Sequence, residues 1–176
     1  MLNIDISNID YENLKEFIDK NISDFKNFEL SIRFKSDYSQ SRMIRSTILY
    51  IFDKNNINMP WRGRFSLISD ELVNNSIEYG SQAFEENLFI MKFSSSDNFL
   101  NINIEVHDTG KGLLAKNSIE MESVRKTKEE NGFDGYLGKR GRGLFQLVKN
   151  IVDDLYFKDN EAGGLIVGVN KKLELI

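Results

Sequence analysis

Cysteine is absent from the 176 residues, so disulfides, thiolate metal sites and cysteine nucleophiles are excluded. Histidine occurs once, at His107. A multi-histidine metal site is therefore impossible, and a Ser-His-Asp triad would have to use that one residue. No apolar run reaches the roughly 18 residues of a membrane-spanning helix, and the first residues, Met1-Leu-Asn-Ile-Asp-Ile6, are acidic and unlike a secretion signal. The expectation is a cytoplasmic protein. A net charge of −4 and a pI near 5.2 leave no basic surface for general binding to nucleic acid or anionic membrane.

Apolar residues make up 40% of the chain and charged residues 28%, which suits a globular protein with a real core. Its most informative stretch is Ser69-Asp-Glu-Leu-Val-Asn-Asn-Ser-Ile-Glu-Tyr-Gly80. At about 100° per residue, Glu71, Asn74, Asn75 and Glu78 share one polar stripe of a helix. Phe65, Ile68, Leu72 and Val73 occupy the opposite arc, and the apolar pattern reaches back toward Pro60. Glu71 and Asn75 stand at i and i+4, offering a hard oxygen ligand for Mg²⁺ beside a carboxylate able to handle a proton. A solvated helix face has the same pattern, so the stripe alone does not decide.

Residues 1–26 look like a helical appendage, with Leu14, Phe17 and Ile18 at helical spacing after Asp10. A domain over 27–176 follows. Phe28 to Lys35 alternates as a strand, and Ser36 or Asp37 caps a helix running to about Lys54. Gly80 is a candidate C-cap. Asn87 to Phe93 form a second strand. Leu100, Ile102, Ile104 and Val106 then alternate strictly with polar residues, so that Asp108 is the next residue in phase with the core side. A carboxylate there costs several kcal/mol unless it has a partner, either a following turn or a ligand's donor group. His107 falls on the polar face and reads as an ordinary strand residue.

Asp108-Thr-Gly-Lys-Gly112 leaves this strand through two glycines, which permit unusual backbone and close approach. Residues 113–138 show little regular pattern and suit a lid or a disordered insertion. Gly138-Lys-Arg-Gly-Arg-Gly143 opens a helix over Leu144, Leu147, Val148, Ile151 and Val152, a phosphate-binding arrangement if it is not merely a basic hinge. Two segments flanking Asp159 to Gly164 close the chain as a β-hairpin.

In this order the motifs resemble the GHKL ATPase superfamily, with an N box and two glycine boxes. Glu71-Leu-Val-Asn-Asn75 and the short chain are similar to the bacterial anti-sigma-factor serine/threonine kinases. The resemblance covers about residues 28–173. It implies an α+β fold: a two-layer α/β sandwich of the Bergerat, histidine kinase-like type, with a mixed, mostly antiparallel sheet and helices on one face. It also implies ATP and Mg²⁺ as ligands. Asn75 would hold the metal, Glu71 would orient or deprotonate an attacking hydroxyl, and Asp108 would accept from the adenine amino group. Gly110 and Gly112 would lie against the nucleotide. Gly141, Gly143 and the N–H groups from Leu144 would hold phosphate oxygens, with Arg140 or Arg142 neutralising charge. Two departures are Tyr79, where relatives carry histidine, and Leu165, near a usual threonine.

The implied function is a kinase that binds a sigma factor or similar client and phosphorylates an anti-anti-sigma, STAS-like antagonist, as a homodimer. The alternative is a nucleotide-liganded switch that sequesters a partner without turnover. A detached histidine kinase domain is disfavoured by the lack of a helical-hairpin module with its own histidine. A glycosidase with paired carboxylates leaves both glycine boxes without a role.

Overall fold

The computed structural model describes residues 1–131 and 143–174. Six strands form one sheet: β1 (Leu2–Asp5), β2 (Phe28–Lys35), β3 (Glu86–Ser96), β4 (Phe99–His107), β5 (Asp154–Asp159) and β6 (Leu165–Glu174), in the order β1-β2-β3-β4-β6-β5. Only β1 and β2 run parallel; the other neighbours are antiparallel. The helices are α1 (Tyr11–Asn21), α2 (Tyr38–Lys54), α3 (Met59–Asn75), α4 (Ser118–Asn131) and α5 (Gly143–Val148). This is the expected α+β architecture.

Strand alternation builds the core. Leu30, Ile32 and Phe34 of β2 are fully buried, as are Phe89 and Met91 of β3. β4 repeats the pattern with Leu100, Ile102, Ile104 and Val106. The helices α2 and α3 form a hairpin laid on this surface. Phe52 of α2 joins both layers, with ring centroids 5.2 Å from Phe65 of α3 and 5.4 Å from Phe93 of β3. Each of α1, α2 and α3 begins where its capping residue stops the extended chain. Asp10 accepts the Asn13 N–H, Asp37 the Ser39 N–H and Asn58 the Trp61 N–H, the last with Pro60 in the first turn.

Residues 1–26, expected as a helical appendage, are built into the sheet and core. β1 pairs with β2 in the register Leu2–Leu30 to Asp5–Arg33, and Ile4, Ile6, Leu14 and Ile18 are buried in the common cluster. Four residues are too few for strand alternation to stand out in a sequence, which is why β1 escaped notice.

The segment after Gly112, expected to be irregular, contains α4. Its start is a reciprocal capping box: Asn117 Oδ1 accepts from the Glu120 N–H and Glu120 Oε2 accepts from the Asn117 N–H, each at 2.9 Å. The helix is tied down at two further places. Asp159 accepts from Ser118 N and Oγ, and Arg125 donates to the Leu155 carbonyl at 2.9 Å. Conversely, α5 stops at Val148, short of the run expected to Val152, and gives way to a turn. No helix among the described residues is long and apolar enough to cross a membrane.

Candidate functional site

The α3 helix does not run regularly to Gly80. Its last turn, Ser76–Gly80, widens into a π-helical turn, a distortion that recurs at functional sites. Gly80 is not a left-handed cap either, since positive φ among the described glycines occurs only at Gly110 and Gly163. Its lack of a side chain serves a close approach. A Cβ at Gly80 would lie 2.1 Å from Asp108 Oδ2, and the Gly80 carbonyl accepts the Gly112 N–H.

Asp108 follows the last core-facing residue of β4, Val106, in phase. Its Oδ1 accepts the N–H of Gly110 at 2.9 Å and of Leu165 at 2.8 Å. Its backbone is clamped as well: Asp108 N–H donates to the Leu165 carbonyl, and Asn160 Nδ2 donates to the Asp108 carbonyl. The carboxylate is thus spoken for on one oxygen, while Oδ2 faces Gly80 with no hydrogen bond among the described residues. Burial raises its pKa above the ordinary value against these two donors.

Between α3 and the sheet lies a cavity of about 360 Å³. Leu72, Ser76 and Tyr79 form one wall, and Val106, Leu165 and Val167 the floor. Leu114, Met121 and Val124 close the far side. Asp108 stands at one end; Glu71 and Asn75 line the cavity together with Leu144 and Phe145 of α5. The apolar walls suit a flat base, and the free Oδ2 suits its donor group.

Glu71 is half-buried, and burial raises its pKa. The Asn75 side chain and the Leu144 N–H both donate to it, and Lys128 adds a favourable charge; Glu78 opposes them. An Asn75 amide that donates through Nδ2 keeps Oδ1 available as a hard oxygen ligand. Among the described residues, no group of three or more His, Cys, Asp or Glu could hold a metal alone. A Mg²⁺ ion at Asn75 would therefore share its ligands with the anion it accompanies, as that ion commonly does.

The predicted residues are brought together unevenly. Glu71, Asn75, Asp108 and Leu144 line one cavity. Asn74 does not line it, and its buried Oδ1 has no hydrogen-bond partner among the described residues. Gly110 and Gly112 stand beside the cavity. A Cβ at Gly110, whose φ is +69°, would lie 2.3 Å from the Gly163 carbonyl oxygen, and one at Gly112 would lie 2.0 Å from that of Tyr79. Close packing of the chain against itself already demands glycine there. Arg140, Gly141 and Arg142 lie outside the described residues; Gly143 begins α5. His107 lies on the polar face, with Nε2 2.9 Å from Glu105 Oε2.

Sequence reasoning missed the far wall. Met121, Val124 and Lys128 recur at i, i+3 and i+7 of α4 and all line the cavity. The capping box at Asn117 was the signal that could have placed them on a helix.

A family model described as a histidine kinase-like ATPase domain matches residues 34–171, from within β2 to within β6. Among solved structures, a chain of the SiaB–SiaC complex from Pseudomonas aeruginosa is similar in fold, with a TM-score of 0.54 and 9% sequence identity. The match covers 95% of this chain and 100% of that one. Curated protein sequences give no match.

Proposed function

Because the chain belongs to the histidine kinase-like ATPase family, we propose that the cavity binds ATP with Mg²⁺ and that the protein is a serine/threonine protein kinase of the anti-sigma type. The observation that carries this reading is the polarity of the cavity. An acceptor, Asp108 Oδ2, stands at one end, and a half-buried carboxylate beside an amide stands with Leu144 at the cavity's α5 wall.

In this reading Asp108 Oδ2 accepts from the adenine amino group, while the Leu165 and Gly110 N–H groups hold Oδ1 still. Asn75 Oδ1 holds the Mg²⁺ ion, which when bound neutralises phosphate charge. Glu71, its pKa raised by burial, orients the serine or threonine hydroxyl of the substrate and takes its proton as the oxygen attacks the γ-phosphorus of ATP, whose bond to the β–γ bridging oxygen breaks to release ADP. Gly141 and Gly143 would hold phosphate oxygens, with Arg140 or Arg142 neutralising charge. The client is a sigma factor or similar regulator, the substrate an anti-anti-sigma, STAS-like protein, and the kinase a cytoplasmic homodimer. The fold neighbour was solved as a complex of two proteins, and this reading gives the present chain a protein partner too.

Calorimetry of ATP and ADP with Mg²⁺ tests the site. Binding in the micromolar range, weakened about tenfold or more by Asn75→Ala and by Asp108→Asn, is the expected result. Absence of binding to either nucleotide overturns the reading. Transfer of labelled γ-phosphate to a STAS-like protein, abolished by Glu71→Ala, separates the kinase from the alternative, a nucleotide-liganded switch without turnover.

A further inference from the structure

The cavity's polar end contains a cation that no motif pointed to. Lys128, on α4, lines the cavity along with Glu71, and each charge acts on the other. Its Nζ lies 4.8 Å from the ring centroid of Phe145, the third residue of α5. Glu71 in turn accepts from Asn75 and from the Leu144 N–H. One carboxylate therefore gathers a helix-borne lysine, an amide and a backbone donor, the three kinds of partner that a phosphate oxygen seeks.

Lys128 is the only basic side chain of α4 that lines the cavity; Arg125 is engaged with Leu155 and Glu122 outside it. Lys116 also lines the cavity but is exposed and stands before the helix. Burial lowers the pKa of Lys128, and the Glu71 charge works against that effect. A half-buried ammonium over an aromatic ring needs an anion nearby. Glu71, which lines the same cavity, supplies a favourable negative charge.

Resting on the ATP reading above, we propose that Lys128 is a specificity-determining residue for the triphosphate: it answers the Glu71 charge in the empty cavity and exchanges that charge for the γ-phosphate of ATP. The exchange leaves the Glu71 carboxylate to face the substrate hydroxyl. ADP has no γ-phosphate, so it leaves Lys128 facing the Glu71 charge. The α4 helix thereby distinguishes ATP from ADP, even though it is tied to Asp159 at its start and to Leu155 at its middle.

The test is the ratio of ATP to ADP affinity, measured by calorimetry with Mg²⁺ on the full chain for wild type, Lys128→Met and Lys128→Arg. Lys128→Met keeps the stem over Phe145 and removes the charge. The expected result is about tenfold weaker ATP binding with ADP affinity held within about twofold, and recovery in Lys128→Arg. Equal losses for both nucleotides would assign Lys128 a purely structural role and overturn the proposal, as would no change in either. Should Lys128→Met fail to fold, Lys128→Gln carries the same comparison. If wild type binds neither nucleotide, the ATP reading itself fails and this inference falls with it. Wild-type binding with an unaltered ratio in the variants defeats only the inference.

Discussion

Gly80 and Asp108 occupy complementary space: the carboxylate fills the position where any other residue at 80 would carry its Cβ, 2.1 Å from Oδ2. Asp108 cannot simply swing away, because Leu165 and Gly110 hold its other oxygen. Gly80→Ala is therefore expected to displace the carboxylate, with an overpacking cost of about 1–3 kcal/mol. Nucleotide affinity should fall more than stability does. A thermal melt paired with ADP calorimetry checks this, and unchanged ADP binding in a folded variant would contradict it.

The turn carrying Asp108 is buckled from behind. The buried Ser81 hydroxyl accepts the Thr109 N–H at 3.0 Å and donates to Asn87 Oδ1 at 2.6 Å. Ser81→Ala strands both partners, so a loss of about 1–2 kcal/mol is expected, with Tm lower by a few degrees. Discrimination should also narrow. The variant is expected to lose ADP affinity while keeping that for inosine diphosphate, whose base has no amino group to offer Asp108.

On the polar face, Tyr156 donates to Glu105 and accepts from Asn103 Nδ2 at 2.7 Å. Burial and the Glu105 charge raise the phenol well above 10.0. The native state thus holds this proton more tightly than the unfolded chain does. Its contribution is complete below pH 10 and is lost as pH rises beyond it. Glu105 behaves oppositely. The His107 hydrogen bond, opposed by burial and aided by Tyr156, lowers its pKa below 4.5, so its contribution is lost as pH falls through the folded value. Tyr156→Phe is expected to flatten the alkaline loss of stability and to move the acid midpoint upward. Chemical denaturation across pH measures both limbs.

Removing residues 1–6 is expected to do more than shorten a tail. It strips β1 from the β2 edge and takes Ile4 and Ile6 from the core. An exposed edge strand invites association between copies. The shortened chain should melt earlier and aggregate, as light scattering during the melt would register. A truncated chain as stable and monodisperse as the whole would refute this.

What the sequence revealed followed from periodicity. Glu71 and Asn75 came forward because Leu72, Val73 and Phe65 fixed the opposite face of α3, and Asp108 because β4 alternates without a break. Less was visible where the pattern is short or shared. β1 has four residues. Only Met121 and Val124 among the cavity-lining residues of α4 are apolar, amid a charged helix. Asn74 sits on the same stripe as Asn75, yet the 100° between them takes it out of the cavity. The glycines of the Asp108 turn have a spacing that suits a ligand's close approach, whereas their nearest neighbours are the chain's own carbonyls. Spacing in a sequence does not reveal which body comes close.

The order in which the sheet is sewn also has a consequence for synthesis. Strands β1 to β4 can pair as they emerge, but Asp108 waits on Leu165 for its bonds at both N–H and Oδ1, and on Asn160 for the one at its carbonyl. A chain halted before residue 160 would present β4 as an open edge, with nothing to orient Asp108 from that side. The site therefore matures only once the β5–β6 hairpin has been made, and a copy halted before it lacks all three of these bonds to Asp108.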